Sequence, residues 1–262
     1  MKAFDDLAKV ALTTSEMALI QNRPKAMLPV GPEGQPFLSL LLHQMAAEGV
    51  DDVCVVLSAE DAGSMALLAP WIPSNMRLGY AFQTIAQGRS KPAGTADAVE
   101  AALRTRPEWS GCSVVVCNGD NLPPAGALTE LQTTEQGMVG FSRKDLGLPG
   151  ERVKSFAVVV ENEWGSVQAL IEKPSSEEVA LAQDDDGDVW VSMNLFRLPH
   201  EALLAACSEV EEHTGRAERE LPAAAMLLAE RKATNLQLLK FRGKFLDLTH
   251  PSDWLQLKNS SR

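Results

Sequence analysis

Glycine is missing from the first 30 residues of this 262-residue chain, and arginine from the first 22. A backbone that curls around a bound phosphate needs residues that accept positive φ, which glycine does without steric cost. That stretch therefore holds no glycine-rich phosphate loop. Cysteine is scarce: Cys54, Cys112, Cys117 and Cys207 lack the spacing of a metal site. Cys54, Cys112 and Cys117 lie in or beside expected strands, so buried reduced thiols are expected. No apolar run approaches the length of a membrane span, and no basic, apolar, small-residue leader opens the sequence. A soluble cytoplasmic protein without a membrane partner is the expectation. Positive charge is in deficit, with 24 Lys and Arg against 35 Asp and Glu and a net charge of -11. That balance argues against a nucleic-acid partner. It leaves room for a nucleotide, which needs only a local positive site. Internal repeats and low-complexity tracts are absent.

A hydrophobic content of 45% in 262 residues can bury a sizeable core. The chain reads as one domain over residues 1–262, with 1–21 as an atypical opening segment. There Phe4, Leu7, Ala8, Ala11 and Leu12 fit a helical stripe, and Thr13-Thr14-Ser15-Glu16 can cap a second helix. The stretch 112–121, CSVVVCNGDN, is a short apolar run closed by a turn signal. It reads as a strand buried on both faces. Ligands of open α/β sheets bind outside the carboxyl ends of such strands. Asp120 sits there, on a turn that Gly119 lets bend. Its carboxylate can hold Mg²⁺ or cap the next helix, and both readings stand at this stage.

Further strands are expected at 52–58, 76–83 and 138–143, and helices at 37–49, 59–68, 95–104 and 125–136. Their alternation from Asp52 to Arg143 implies a mainly parallel, twisted sheet with helices on both faces. Beyond Arg143 the pattern changes. Residues 152–160 and 166–171 flank ENEWG and read as a β-hairpin. The acidic run 184–188 reads as a solvated loop, lacking the rest of an EF-hand pattern. Strands follow at 189–198, 235–241 and 243–248, and helices at 199–210, 220–231 and 251–257. Gly94-Thr95 opens the helix at 95–104. A helix N-terminus attracts phosphate, and the pair is equally an ordinary cap.

Seven fragments stand in a telling order: RPKAMLPV (23–30), GTADAV (94–99), NGD (118–120), EKP (172–174), MN (193–194), ELP (220–222) and FLDL (245–248). Their order resembles the sugar-1-phosphate nucleotidyltransferases, the nucleotide-sugar pyrophosphorylases, over nearly the whole chain. The resemblance implies an α/β fold of nucleotide-diphospho-sugar transferase type. Its Rossmann-like mixed, mostly parallel sheet, flanked by helices, binds NTP and sugar phosphate in one cleft. The sugar phosphate attacks the α-phosphorus and pyrophosphate leaves, with Mg²⁺ as cofactor. By resemblance Asp120 and Asp247 hold the metal, and Lys25 contacts the phosphates. Lys173 binds the sugar phosphate. Gln83 reads the base edge with Gly94 and Thr95 beside it, and Glu172 and Asn194 hydrogen-bond sugar hydroxyls. Taken singly, Lys25 and Lys173 also fit surface lysines, and Asp247 fits a pair with Lys244 or a cap for the helix at Pro251. Some members of the family self-associate, so a homo-oligomer belongs to the partners the resemblance admits.

The departure is at the start. The family opens with a strand and a G-x-G-T-R loop whose amides wrap the triphosphate and whose arginine screens the leaving pyrophosphate. Here residues 7–14, LAKVALTT, stand in its place. Lys9 offers a point charge there rather than a guanidinium fork. Two functions follow from the resemblance. One is a working transferase with an unusual NTP segment. The other is a catalytically inactive homologue that binds a sugar phosphate or nucleotide sugar and regulates or scaffolds a partner.

Overall fold

The computed structural model describes residues 12–59, 61, 63–85, 88–89, 91–215, 217–231 and 235–260. The helical stripe at Phe4, Leu7, Ala8 and Ala11, together with Lys9 and most of the segment replacing the glycine loop, lies outside them. In chain order the helices are α1 (Thr14–Asn22), α2 (Phe37–Ala47), α3 (Gly63–Leu68), α4 (Thr95–Thr105), α5 (Ala127–Leu131), α6 (Gly150–Val153), α7 (Ser176–Leu181), α8 (His200–Glu209), α9 (Leu221–Glu230) and α10 (Pro251–Ser260). The strands are β1 (Pro29–Val30), β2 (Gln35–Pro36), β3 (Asp52–Ser58), β4 (Arg77–Gln83), β5 (Ser113–Val116), β6 (Asn121–Leu122), β7 (Gly137–Ser142), β8 (Val158–Glu161), β9 (Val167–Ile171), β10 (Trp190–Pro199), β11 (Gln237–Phe241) and β12 (Leu246–Asp247). No helix among the described residues is long and apolar enough to cross a membrane.

Contacts divide the chain into two units. The smaller gathers residues 1–80, 119–122 and 246–262, and the larger 81–118 and 123–245. In the smaller unit Thr13 caps α1: its hydroxyl accepts the Glu16 amide, and the Glu16 carboxylate accepts the Thr13 amide. This is the capping box that the TTSE run encodes. Ile20, Leu28, Val30, Phe37, Leu248 and Trp254 form a core that brings residues 20–37 and 248–254 together. Trp254 is fully buried, and its indole N–H donates to the Pro29 carbonyl at 2.8 Å. The ring thus adds apolar burial without an orphaned donor. β12 pairs antiparallel with β6, Asp247 opposite Asn121 and Leu246 opposite Leu122.

The larger unit is built on a mixed six-stranded sheet in the order β11-β7-β10-β8-β9, with β5 also against β10. β11 runs parallel to β7, while β10 is antiparallel to β5, β7 and β8. The alternation that implies parallel strands ends at Arg143. The mainly parallel pairing expected from it is not what this sheet shows: β5 and β7, from the alternating region, both meet β10 antiparallel, and the parallel pair is made with β11, which lies beyond Arg143. α4 presents Ala96, Val99 and Leu103 at helical spacing to a core shared with Leu203 and Cys207 of α8 and Leu221, Ala225 and Leu228 of α9. Burial pushes the Cys207 thiol up to about 12, so it packs as a small apolar group.

Several local readings need correction. Residues 150–153 are a helical turn, and the strand expected from 152 begins only at Val158: Pro149 presets the entry, and its carbonyl accepts the Arg152 and Val153 amides at 3.0 and 3.1 Å. α5 stops at Leu131, where the expected helix ran to 136. Beyond it the Thr133 hydroxyl takes the Glu130 carbonyl at 2.7 Å, a side-chain bond that competes with the helix. α7 was not foreseen, although Ser175 and Glu178 form a capping box. Cys112 is exposed, on the turn that precedes β5. The acidic loop is tied down. Asp184 Oδ1 accepts the Asp186 and Asp188 amides, and Oδ2 the Trp190 indole N–H. Asp188 is buried and paired with Lys144 and Arg242.

Candidate functional site

In the smaller unit, the chain brings Lys25, Asp120 and Asp247 together. Pro24 fixes the entry to a single 3-10 turn, Lys25–Met27, whose three residues are all buried. Lys25 Nζ donates to the Thr249 carbonyl at 3.1 Å. The Thr249 hydroxyl lies 3.0 Å from both oxygens of Asp247, so one threonine ties the lysine to the carboxylate. Asp247 is 8% exposed. The Leu248 amide donates to the Asp120 carbonyl at 3.0 Å, extending the β6–β12 ladder to Asp120 itself. Gly119 does not adopt positive φ, so the turn before Asp120 does not depend on it.

The electrostatics follow from this packing. The Asp120 carboxyl is held above the usual carboxylate range, first by burial, then by the neighbouring charge of Asp247, while Lys25 acts in the opposite sense. Two carboxylates beside one ammonium leave net negative charge in a partly dehydrated place. A divalent cation would relieve that repulsion, and the donors on offer are oxygens, which suit a small hard ion. Among the described residues no group of three or more His, Cys, Asp or Glu is arranged to hold a metal. An ion on the aspartate pair would complete its shell with water and phosphate oxygens, as Mg²⁺ commonly does.

The larger unit holds the other expected residues. Gln83, at the end of β4, donates from Nε2 to the Gly94 carbonyl at 2.8 Å and to Asp97 Oδ2 at 2.7 Å. Gly94 is the N-cap of α4 at φ 111 and ψ -173. A Cβ there would lie 2.3 Å from the Arg219 carbonyl oxygen, so the segment before α9 can approach only a glycine. Thr95 Oγ1 accepts the Leu221 amide at 2.9 Å, and the Ala96 amide donates to the Arg219 carbonyl at 3.0 Å. Gly94 thus caps α4, and Gly94 and Thr95 together seat the 219–221 segment against it.

Glu172 and Lys173 follow β9 and are exposed. Lys173 has φ 49 and Asn194 has φ 58, a left-handed backbone that is costly for a side chain other than asparagine. Asn194 lies where the register of β10 against β7 shifts, between Ser192 and Phe196. Such outliers persist where the surroundings over-determine them and cluster at functional sites. Glu172 also helps line a cavity of about 290 Å³ with Leu170, His213, Glu220, Pro222 and Met226. Sequence reasoning missed Thr249, which braces Asp247, and Asp97 and Arg219, which brace Gln83. Asp97 stands inside GTADAV, in the first turn of α4, and was legible there. Nothing in the sequence around Arg219 signalled its part.

A family model described as Nucleotidyl transferase matches residues 17–260. No curated protein matches the chain. Solved structures do. HddC from Yersinia pseudotuberculosis superposes with a TM-score of 0.61 at 16% identity, covering 92% of this chain and 91% of that one. The same protein complexed with GMP-PN gives 0.59 at 15% identity, again over 92% and 91%. A UDP-glucose pyrophosphorylase complexed with UDP-glucose gives 0.63 at 17% identity, with 92% and 91% covered. At these identities the likeness to the solved structures is one of fold.

Proposed function

The chain belongs to the nucleotidyl transferase family, and from that premise we propose that it joins a nucleoside triphosphate to a sugar 1-phosphate, giving a nucleotide sugar and pyrophosphate. A phosphate oxygen of the sugar phosphate forms a bond to the α-phosphorus. The bond from that phosphorus to the bridging oxygen breaks, and its electron pair leaves with pyrophosphate. Such a transfer asks the protein mainly for charge screening and alignment. The observation that supports the reading is the aspartate pair: Asp120 and Asp247 on adjoining strands, with Lys25 tied to the same group through Thr249. Asp120 and Asp247 would hold Mg²⁺, which supplies a fixed positive charge for phosphate oxygens when bound. Lys25 would add its ammonium to the same task. Lys173 would pair with the sugar phosphate, Glu172 and Asn194 with sugar hydroxyls, and Gln83, with Gly94 and Thr95 beside it, with the base.

A second reading has its own observation. No glycine precedes Gly31 and no arginine precedes Arg23, so a preorganised anion loop is missing from the N-terminal stretch. Loss of one such donor lowers a rate by roughly 10²–10³-fold. A chain that keeps the acidic pair and the sugar-side residues without that loop suits a binder that regulates or scaffolds a partner. Pyrophosphate release from the full-length protein with Mg²⁺, an NTP panel and a sugar 1-phosphate panel separates the two, run beside thermal shifts. Turnover establishes the transferase. Ligand-induced shifts without turnover establish the binder, because a ligand that binds only the native state raises its stability. If neither responds, the small-ligand reading of the chain is abandoned.

A further inference from the structure

The carboxamide of Gln83 is turned between two acceptors. Its Nε2 lies 2.8 Å from the Gly94 carbonyl and 2.7 Å from Asp97 Oδ2. A carbonyl and a carboxylate can only accept, so the atom facing them is the nitrogen, and its two hydrogens are both engaged. Asp97 is anchored in turn. Arg219 donates from Nη2 to Asp97 Oδ1 at 2.5 Å, and from Nη1 to Glu100 Oε2 and the Cys207 carbonyl, each at 2.8 Å. The ion pair is only 19% and 23% exposed at Arg219 and Asp97. Rotating the amide of Gln83 by half a turn would set its oxygen against two acceptors at once. Gln83 Oε1 itself meets no hydrogen-bond donor among the described residues.

We propose that Asp97, anchored by Arg219, locks Gln83 as an acceptor-only reader, so that the site selects bases carrying an N–H at the ring nitrogen of their pairing edge. Uracil, thymine and guanine have that N–H. Cytosine and adenine present a lone pair at the same place and would meet the Gln83 oxygen with repulsion. A glutamine free to turn over would serve both classes, because it can offer either end. The locked one cannot: Asp97 and the Gly94 carbonyl together remove its freedom, and of the two Asp97 is the one a side-chain substitution takes away. Asp97 is therefore a positioning residue, and its effect falls on the choice of base. The inference rests on the proposal that Gln83 faces the base.

The test is equilibrium binding of UTP, dTTP, GTP, CTP and ATP, with Mg²⁺, to the full-length protein and to Asp97→Ala, Asp97→Asn and Glu100→Gln. The wild type is expected to bind the first three about 10- to 100-fold more tightly than CTP and ATP, the range for a polar group left facing an unsuitable partner. Both Asp97 variants should bring the two classes to within about threefold, less than 1 kcal/mol apart. Asp97→Asn keeps the side-chain volume and guards against a variant that fails to fold. Glu100→Gln weakens a different contact of Arg219 without touching Gln83, and should preserve the ratio. Equal binding of both classes by the wild type, or an unchanged ratio in folded Asp97 variants, overturns the lock while leaving the nucleotide site standing. Binding of none of the five overturns the nucleotide site and the lock with it.

Discussion

Asp120 and Asp247 stand in diagonal register across β6 and β12: Asp247 is opposite Asn121, and the next amide, that of Leu248, donates to the Asp120 carbonyl at 3.0 Å. Main-chain pairing thus holds two acidic residues close that the chain separates widely. The Asp120 carboxyl is raised by burial and by Asp247, so its ionised form is disfavoured in the native state. Replacing it by asparagine removes that repulsion. Asp120→Asn is expected to gain about 1 kcal/mol in metal-free buffer, a rise of roughly 2–4 °C for a chain of this size. Mg²⁺ should raise the Tm of the wild type and leave that of the variant unmoved. A variant that melts lower without metal and still responds to Mg²⁺ would remove the aspartate pair from consideration as a cation site.

Glu16 joins α1 to α10 in the smaller unit. Lys258 Nζ donates to Glu16 Oε1 at 2.8 Å, and the same carboxylate closes the capping box with Thr13. The hydrogen bond from Lys258, followed by those from Thr13, lowers the Glu16 pKa from 4.5 to about 2. A carboxyl depressed in the folded state contributes stability above its unfolded pKa and loses it as pH falls through the folded one. Glu16→Gln should therefore melt lower than wild type at pH 7, and the two curves should converge as the pH drops from 4.5 toward 2. Melting curves across that range decide the matter; a constant gap would mean that charge is not the cause.

Lys173 carries a left-handed backbone at φ 49. That conformation costs an L-residue roughly 1–2 kcal/mol, which glycine does not incur. Lys173→Gly is expected to stabilise the fold by about 0.5–1 kcal/mol, part of the relief being lost to the entropy of the unfolded glycine. If the lysine binds sugar phosphate, the same variant should bind it more weakly. Chemical denaturation and sugar 1-phosphate titration together expose the trade-off, and a variant weakened on both counts would argue against strain at this position.

Gly94 is the opposite case. At φ 111, with the Arg219 carbonyl oxygen 2.3 Å from where a Cβ would stand, it admits no side chain without moving backbone. Gly94→Ala should cost more than about 3 kcal/mol, combining overpacking with an unfavourable φ. It should also disturb the Thr95–Leu221 bond and the orientation of Gln83. A near-native denaturation midpoint in Gly94→Ala would show that the 219–221 segment yields easily.

Much of the fold was legible because the signals were short-range. The strand at 52–58 was read with its observed bounds, from an apolar run bracketed by polar residues. α1 announced itself through Thr13 and Glu16, and α4 through its opening at Gly94-Thr95. The failures were short-range contests as well. Pro149 drew residues 150–153 into a helical turn although Val153 and the residues after it favour a strand. The capping box of Ser175 and Glu178, which starts α7, is likewise a short-range signal.

By itself the sequence determined the α/β class, the order of most elements, the acidic balance, the lack of an early glycine loop and the motif order that marks the family. The class, the elements and the charge rest on periodicity, capping and composition, which act within a few residues; the family rests on a resemblance of motif order along the chain. Tertiary structure alone decided that Thr249 braces Asp247, that Arg219 and Asp97 hold the Gln83 amide one way round, and that Lys173 and Asn194 take left-handed backbone. Such relations join residues distant in the chain or strain a single one against its surroundings. They arise only once packing has brought the partners together, and no local propensity encodes them.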